Sequence, residues 1–220
     1  MKVLLSSLIL IISLSSYSQE SMRRWRKMNQ VRSDKFDLVL PEAMRENNID
    51  MWIVTNREGN FDPLYADMGE GYVGSTGYYI FTDKGGDRIE RAVLGISGYL
   101  LEEGGTYDYF GSADELKDFV TTRNPKKIGL NISKHMGGAD GLTHSAYLEL
   151  AGVLGKTYEA RFVSAEKLVS DFRSRRVASE IAIYGEAGEL SYTIAERALS
   201  NEIITPGVTT LEDVAWWMKE

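Results

Sequence analysis

The sequence contains no cysteine and only two histidines, His135 and His144, among its 220 residues. The first absence excludes disulfide staples, thiolate metal sites and cysteine nucleophiles, and the second excludes a histidine-rich metal cluster. Basic residues are outnumbered, with 25 Lys and Arg against 32 Asp and Glu and a formal charge of −7. A chain with that balance is poorly suited to tracking phosphate backbones, so nucleic acid is not expected as a partner. Long apolar runs are missing too. Val3 to Leu14 is shorter than the roughly 20 residues a membrane helix needs, and no later segment is long or apolar enough to span a bilayer. What remains is ordinary globular material, 43% apolar, 26% charged and 10% aromatic, which fits one or two domains.

Residues 1–18 read as a secretory signal peptide. Met1-Lys2 gives a short positive start, Val3 to Leu14 is apolar except for three serines, and Ser16-Tyr17-Ser18 places small residues at the −3 and −1 positions of a cleavage site. The expected location is therefore secreted or periplasmic. No cysteine stands at the cleavage point to carry a lipid.

Beyond the signal, helix and strand patterns alternate. Phe36, Leu40 and Met44 recur at helical spacing, with Pro41 suited to the first turn of a second short helix. Met51 to Thr55 reads as a buried strand. Tyr78 to Thr82 and Arg88 to Gly95 are β-rich and separated by Asp83-Lys84-Gly85-Gly86, which predicts an antiparallel hairpin. Ser112 with Glu115 predicts a capping box opening a helix to about Thr122. Strands at Lys127 to Asn131 and Ala160 to Val163 flank a helix over Thr143 to Leu154. That order predicts an α/β fold with a mixed sheet over residues 22–165, followed by a linker or short helix at 166–177.

The character then changes. A long helix is expected from Ala178 to about Glu202, with Ile183, Ala187, Leu190, Ile194 and Ala198 on one stripe. Thr205-Pro206-Gly207 breaks it, and Thr209 with Glu212 suggests another capping box before a stripe of Leu211, Val214, Ala215 and Met218. No stop residue follows Trp216-Trp217-Met218-Lys219. Residues 178–220 are therefore expected to open a domain whose remainder lies beyond the chain.

Most candidate motifs lose their chemistry on inspection. Gly69-Glu70-Gly71-Tyr72-Val73-Gly74 matches the dinucleotide fingerprint, but a strand follows where that motif needs a helix, so a turn is expected. His135 and His144 lack the spacing that puts two imidazoles on one metal. The basic groups Arg23-Arg24-Trp25-Arg26-Lys27 and Arg173-Ser174-Arg175-Arg176 read as solvated helix faces. More informative is Arg57-Glu58-Gly59-Asn60-Phe61-Asp62-Pro63, where an arginine and two carboxylates follow a buried strand. Loops in that position commonly carry function, which makes Arg57, Glu58 and Asp62 the candidates for a gating or interface loop.

Leu40-Pro41-Glu42-Ala43-Met44-Arg45, Ile49-Asp50-Met51-Trp52-Ile53-Val54 and Asp140-Gly141-Leu142-Thr143 resemble the amino-terminal domain of the creatinase and Xaa-Pro aminopeptidase family. Arg173 to Ile181 resembles that family's entry into its pita-bread catalytic domain, with Arg176 where lysine is more usual. Ile204-Thr205-Pro206-Gly207-Val208-Thr209 resembles its proline-glycine helix break. The resemblance covers essentially all of the chain after the signal, in family order. It implies a creatinase-like amino-terminal domain followed by the start of an α+β pita-bread domain.

The resemblance also implies a parent hydrolase that cleaves short proline-containing peptides with two divalent metal ions, manganese or zinc, held by two Asp, one His and two Glu. None of these ligands can be placed in residues 1–220, so no catalytic, cofactor or metal residue is assigned and this chain alone is expected to be inert. The same resemblance implies a homo-oligomer, a dimer, joined through the amino-terminal domain, with a loop walling the active site. Two other readings remain open, a non-catalytic interaction module of peptidase-like fold and a creatinase-type amidinohydrolase.

Overall fold

The computed structural model describes residues 2–220, with side chains described from Gln19 onward, so the expected signal at residues 1–18 lies outside the described side chains. The chain forms two compact units, Met1–Val177 and Ala178–Glu220.

The first unit is an α/β fold on a six-stranded mixed sheet. Its strands are β1 (Met51–Arg57), β2 (Tyr72–Thr82), β3 (Glu90–Ser97), β4 (Tyr109–Gly111), β5 (Ile128–Leu130) and β6 (Phe162–Ser164), in the spatial order β4-β3-β2-β1-β5-β6. β1 and β2 pair antiparallel over seven residues, from Met51 opposite Thr82 to Arg57 opposite Thr76. The β2–β3 hairpin is antiparallel as expected, whereas β3–β4, β1–β5 and β5–β6 are parallel. β4 and the early residues of β2 were not anticipated, and β3 lies two residues later than expected. Three residues are too short to show alternation, and Gly71 to Gly77 hides a strand behind small residues.

Alternation along β1 explains the layering, because successive side chains face opposite sides of a strand. Trp52 points to one face, where α1 (Lys2–Leu38) and α8 (Glu166–Ser174) contribute to an aromatic cluster and α2 (Leu40–Glu46) buries Leu40 and Met44. Phe36 and Phe81 meet edge to face with centroids 4.9 Å apart, and Trp52 lies 5.3 Å from Phe81 and 5.8 Å from Phe172. Met51 and Ile53 point to the other face, where they join Leu116, Phe119, Leu150 and Leu154 in a mainly aliphatic core. Those residues come from α5 (Leu116–Arg123) and α6 (His144–Leu154). Residues 166–177, expected as a linker or short helix, form α8 through Ser174, with Leu168, Val169 and Phe172 buried.

Local chemistry sets several boundaries. Pro41 sits in the first turn of α2. The Ser112 and Glu115 box is present, although its first turn is a 3-10 turn leading into α5. Short helices α3 (Tyr65–Met68), α4 (Tyr99–Glu103) and α7 (Lys156–Glu159) complete the unit.

The second unit holds α9 (Ala178–Ala198) and α10 (Leu211–Trp217). α9 ends four residues earlier than expected, in a turn where the Ser200 hydroxyl donates to the Arg197 carbonyl at 2.8 Å. The capping box is shifted by one residue, to Thr210 with Asp213. The reason is local, because the Thr209 hydroxyl accepts from the Thr205 backbone N–H at 2.9 Å and donates to the Ile203 carbonyl at 3.3 Å. Among the described residues no helix is long and apolar enough to cross a membrane.

Candidate functional site

Parallel pairing brings the carboxyl ends of β1, β5 and β6 to one end of the sheet. Antiparallel pairing starts β2 and finishes β3 at that same end. β1 ends on Arg57, the loop after it carries Glu58 and Asp62, and the loop after β5 runs from Asn131 to Thr143. Their contact is a buried polar chain. The Trp52 indole N–H donates to Asn131 Oδ1 at 2.8 Å, and Asn131 Nδ2 donates to Asp62 Oδ2 at 2.9 Å. Asp62 Oδ1 accepts from the Leu64 backbone N–H at 2.9 Å, while the Asp62 N–H donates to Asn56 Oδ1 at 3.0 Å.

Asp62, Asn56 and Asn131 are each at most 2% exposed. Burial pushes the Asp62 carboxyl above the usual carboxylate range, opposed by the hydrogen bonds from Leu64 and Asn131. A carboxyl group so enclosed is tolerable because each of its oxygens accepts a hydrogen bond, one from the Leu64 N–H and one from Asn131 Nδ2.

The three candidate residues therefore separate. Asp62 turns inward and ties two loops together. Glu58 is exposed, and its backbone N–H donates to the Ser75 carbonyl at 3.0 Å. Arg57 points across the sheet end to α6, where Nη1 donates to the Ser145 hydroxyl at 3.1 Å and Nη2 lies 4.0 Å from Glu149. The same Glu149 accepts from the Thr76 hydroxyl at 3.4 Å, and burial, followed by the Glu149 charge, pushes the nearby Tyr78 phenol up to about 12.

Sequence reasoning missed Asn131 as the partner of Asp62, and Trp52 as the partner of Asn131. The available signal was an amide directly after a buried strand, a position where a side chain is either solvated or claimed by a neighbouring loop. Of Gly69-Glu70-Gly71-Tyr72-Val73-Gly74, expected as a turn, only Gly69 to Gly71 connect α3 to β2, and Tyr72 to Gly74 already belong to that strand. His135 and His144 are both exposed. Among the described residues no group of three or more His, Asp or Glu is placed to hold a metal ion. The side chains at this sheet end do not fit a dinuclear metal site, since Asp62 is enclosed by amide donors and Glu58 stands away from it.

Compared with family models, curated proteins and solved structures, the chain matches none.

Proposed function

We propose that this chain is the amino-terminal part of a secreted, metal-dependent Xaa-Pro peptidase-like hydrolase, and that its catalytic metals are held by residues outside 1–220. The observation that carries the reading is the division at Val177/Ala178, which falls within the segment Arg173 to Ile181. That segment resembles the passage from amino-terminal to catalytic domain in the creatinase and Xaa-Pro aminopeptidase family. Three of the other resembling segments occupy structural positions in the first unit, and Ile204 to Thr209 lies in the second, between α9 and α10. Leu40 to Arg45 forms most of α2, Met51 to Val54 lies in buried β1, and Thr143 caps α6 with its hydroxyl accepting from Ala146 N–H at 3.3 Å.

In this reading the first unit contributes dimer contacts and a wall around the active site. Arg57 supplies the surface-directed cation of that wall, and Asp62 holds its loop in place. The test is expression of the complete reading frame and assay on an Xaa-Pro dipeptide and tripeptide with manganese or zinc. Cleavage that ceases on chelation and returns with metal is expected. A complete product that binds no divalent metal and leaves Xaa-Pro bonds intact overturns the reading.

A second reading, a non-catalytic interaction module, is favoured by apolar side chains exposed on the second unit. Leu190, Tyr192 and Leu211 are 62%, 66% and 87% exposed. It predicts a stable complex without hydrolysis in the same assay.

A further inference from the structure

The sheet end that carries Arg57 also carries several exposed aromatic side chains. The Phe61 ring stacks on Tyr65 with centroids 4.3 Å apart, and the Tyr65 hydroxyl accepts from the Gly71 N–H at 2.9 Å. Tyr72 pairs with Ser97 across the β2–β3 ladder. A Cβ built at Gly98 would lie 3.3 Å from Gly71 Cα, so the start of α4 rests against the turn before Tyr72. Phe61, Tyr72, Tyr99 and Leu100 are 46%, 70%, 76% and 50% exposed. Scattered exposed apolar residues need no explanation, but four linked through one pair of turns form a patch of the kind that marks a binding surface.

Its charge is mostly negative, since the nearby Arg57 is turned to Ser145 and Glu149 on α6 and Arg173 is paired with Asp67. Residues 58–83 and 92–116, which build this edge, contain five acidic residues each and no lysine or arginine. Glu58, Glu70, Glu102 and Glu103 are all exposed around it. Arg32 approaches from α1 but spends donors on the Asp67 and Ala66 carbonyls and on Asn29 Oδ1. Phenol and phenyl faces carry negative quadrupoles, so rings bordered by carboxylates attract cations by two additive routes. The same fringe repels anionic lipid and nucleic acid. A patch spread over the loop after β1, the start of β2 and the start of α4 suits an extended chain better than a compact ligand.

We propose that this surface docks an extended cationic peptide, its arginine or lysine side chains lying on Phe61, Tyr72 and Tyr99 and pairing with Glu58, Glu70 and Glu102. In naming the class of peptide gathered, the proposal rests on the peptide-hydrolase reading. It is tested by binding alone, so that either idea can fail without the other.

The probe is a fluorescein-labelled Gly-Arg-Pro-Arg-Pro-Arg-Gly amide, titrated by anisotropy with the 220-residue chain, beside a control with glutamate at each arginine. Saturable binding of the arginine peptide that weakens with salt is expected, with none for the control. Tyr72→Ser combined with Tyr99→Ser should weaken binding roughly tenfold, given two exposed cation–π contacts. Circular dichroism of that variant should match the parent, because both rings are largely exposed. Glu70→Lys with Glu102→Lys should transfer the preference to the glutamate peptide. Equal binding of both peptides, or undiminished binding by the folded tyrosine variant, overturns the proposal. So does a concentration-dependent dimer in sedimentation that disappears in the tyrosine variant, because the patch would then be covered by a second copy of the chain.

Discussion

Gly141 leaves the space that the Asp62 carboxylate occupies. A Cβ built at residue 141 would stand 2.1 Å from Asp62 Oδ2 and 2.6 Å from Pro63 Cδ. The carboxylate cannot swing aside cheaply, because Asn131 and the Leu64 N–H hold its two oxygens. Gly141→Ala should therefore destabilise the first unit by about 2 kcal/mol, the usual scale for overpacking a well-filled site. Urea unfolding followed by tryptophan fluorescence measures it. An unchanged midpoint would mean that the two loops can part without loss.

Asp62 should also leave a mark on the pH dependence of stability. Its folded-state pKa is raised, chiefly by burial, so the unfolded chain releases the proton first as pH climbs. Its contribution is complete below the ordinary Asp value and is lost as pH rises through the raised one. Asp62→Asn removes that titration but presents an amide N–H₂ to Asn131 Nδ2, which is already a donor. The expected result is a less stable variant whose deficit is largest at low pH and shrinks as pH rises from about 4 toward neutrality. Chemical denaturation of both proteins across that range is the check, and a constant difference would show that Asp62 titrates normally.

How much of this was legible depended on whether the deciding partners were near in sequence. The Ser112 and Glu115 box, the Asp83 to Gly86 turn and the placement of Pro41 in a first helical turn are set by neighbours within a few residues, and each is read from spacing. Thr209 and Thr210 offer nearly the same local pattern. Which threonine caps α10 is decided by the turn before it, where Thr209 is already engaged with Thr205 and Ile203. Asp62 is the clearer case. A charged residue in a Gly- and Pro-containing loop reads as surface, and only the fold brings Asn131, 69 residues away, to enclose it. Glu58 keeps the exposure its loop suggests, whereas Arg57, the last residue of β1, is half-buried against α6.

A charge pair near the hairpin should behave in the opposite sense to Asp62. Arg123 donates two hydrogen bonds to Glu90, at 2.5 and 2.9 Å, and its guanidinium carbon lies 3.3 Å from the Phe119 ring centroid. Burial pushes the Glu90 carboxyl up, but the Arg123 and Lys84 hydrogen bonds outweigh it and the carboxyl titrates below its usual range. Its contribution is present above the ordinary Glu value and is lost as pH falls through the lowered one. Because both side chains are less than one-fifth exposed, the pair should couple more strongly than an open surface bridge. A double-mutant cycle with Glu90→Gln and Arg123→Met should return about 1 kcal/mol at pH 7 and less at pH 3. A coupling near zero at pH 7 would assign Arg123 to ring packing alone.

The second unit offers a separate test through its cap. The Thr210 hydroxyl accepts from the Asp213 N–H at 3.1 Å, and Asp213 Oδ2 accepts from the Thr210 N–H at 2.9 Å, which satisfies two donors that the first turn of α10 would otherwise leave open. The backbone N–H of Thr210, then its hydroxyl, hold the Asp213 carboxyl below its usual range. The reciprocal half of the box is therefore present above the ordinary Asp value and lost as pH falls through the lowered one. Thr210→Ala should speed amide exchange at Asp213 and Val214 on the order of fivefold, the scale of a lost N-cap. Thr209→Ala should leave Asp213 unchanged while loosening the Thr205 turn, because its hydroxyl serves that turn and not the helix. If the two variants gave the reverse pattern, the cap would belong to Thr209 with Glu212, the pairing that spacing alone suggests.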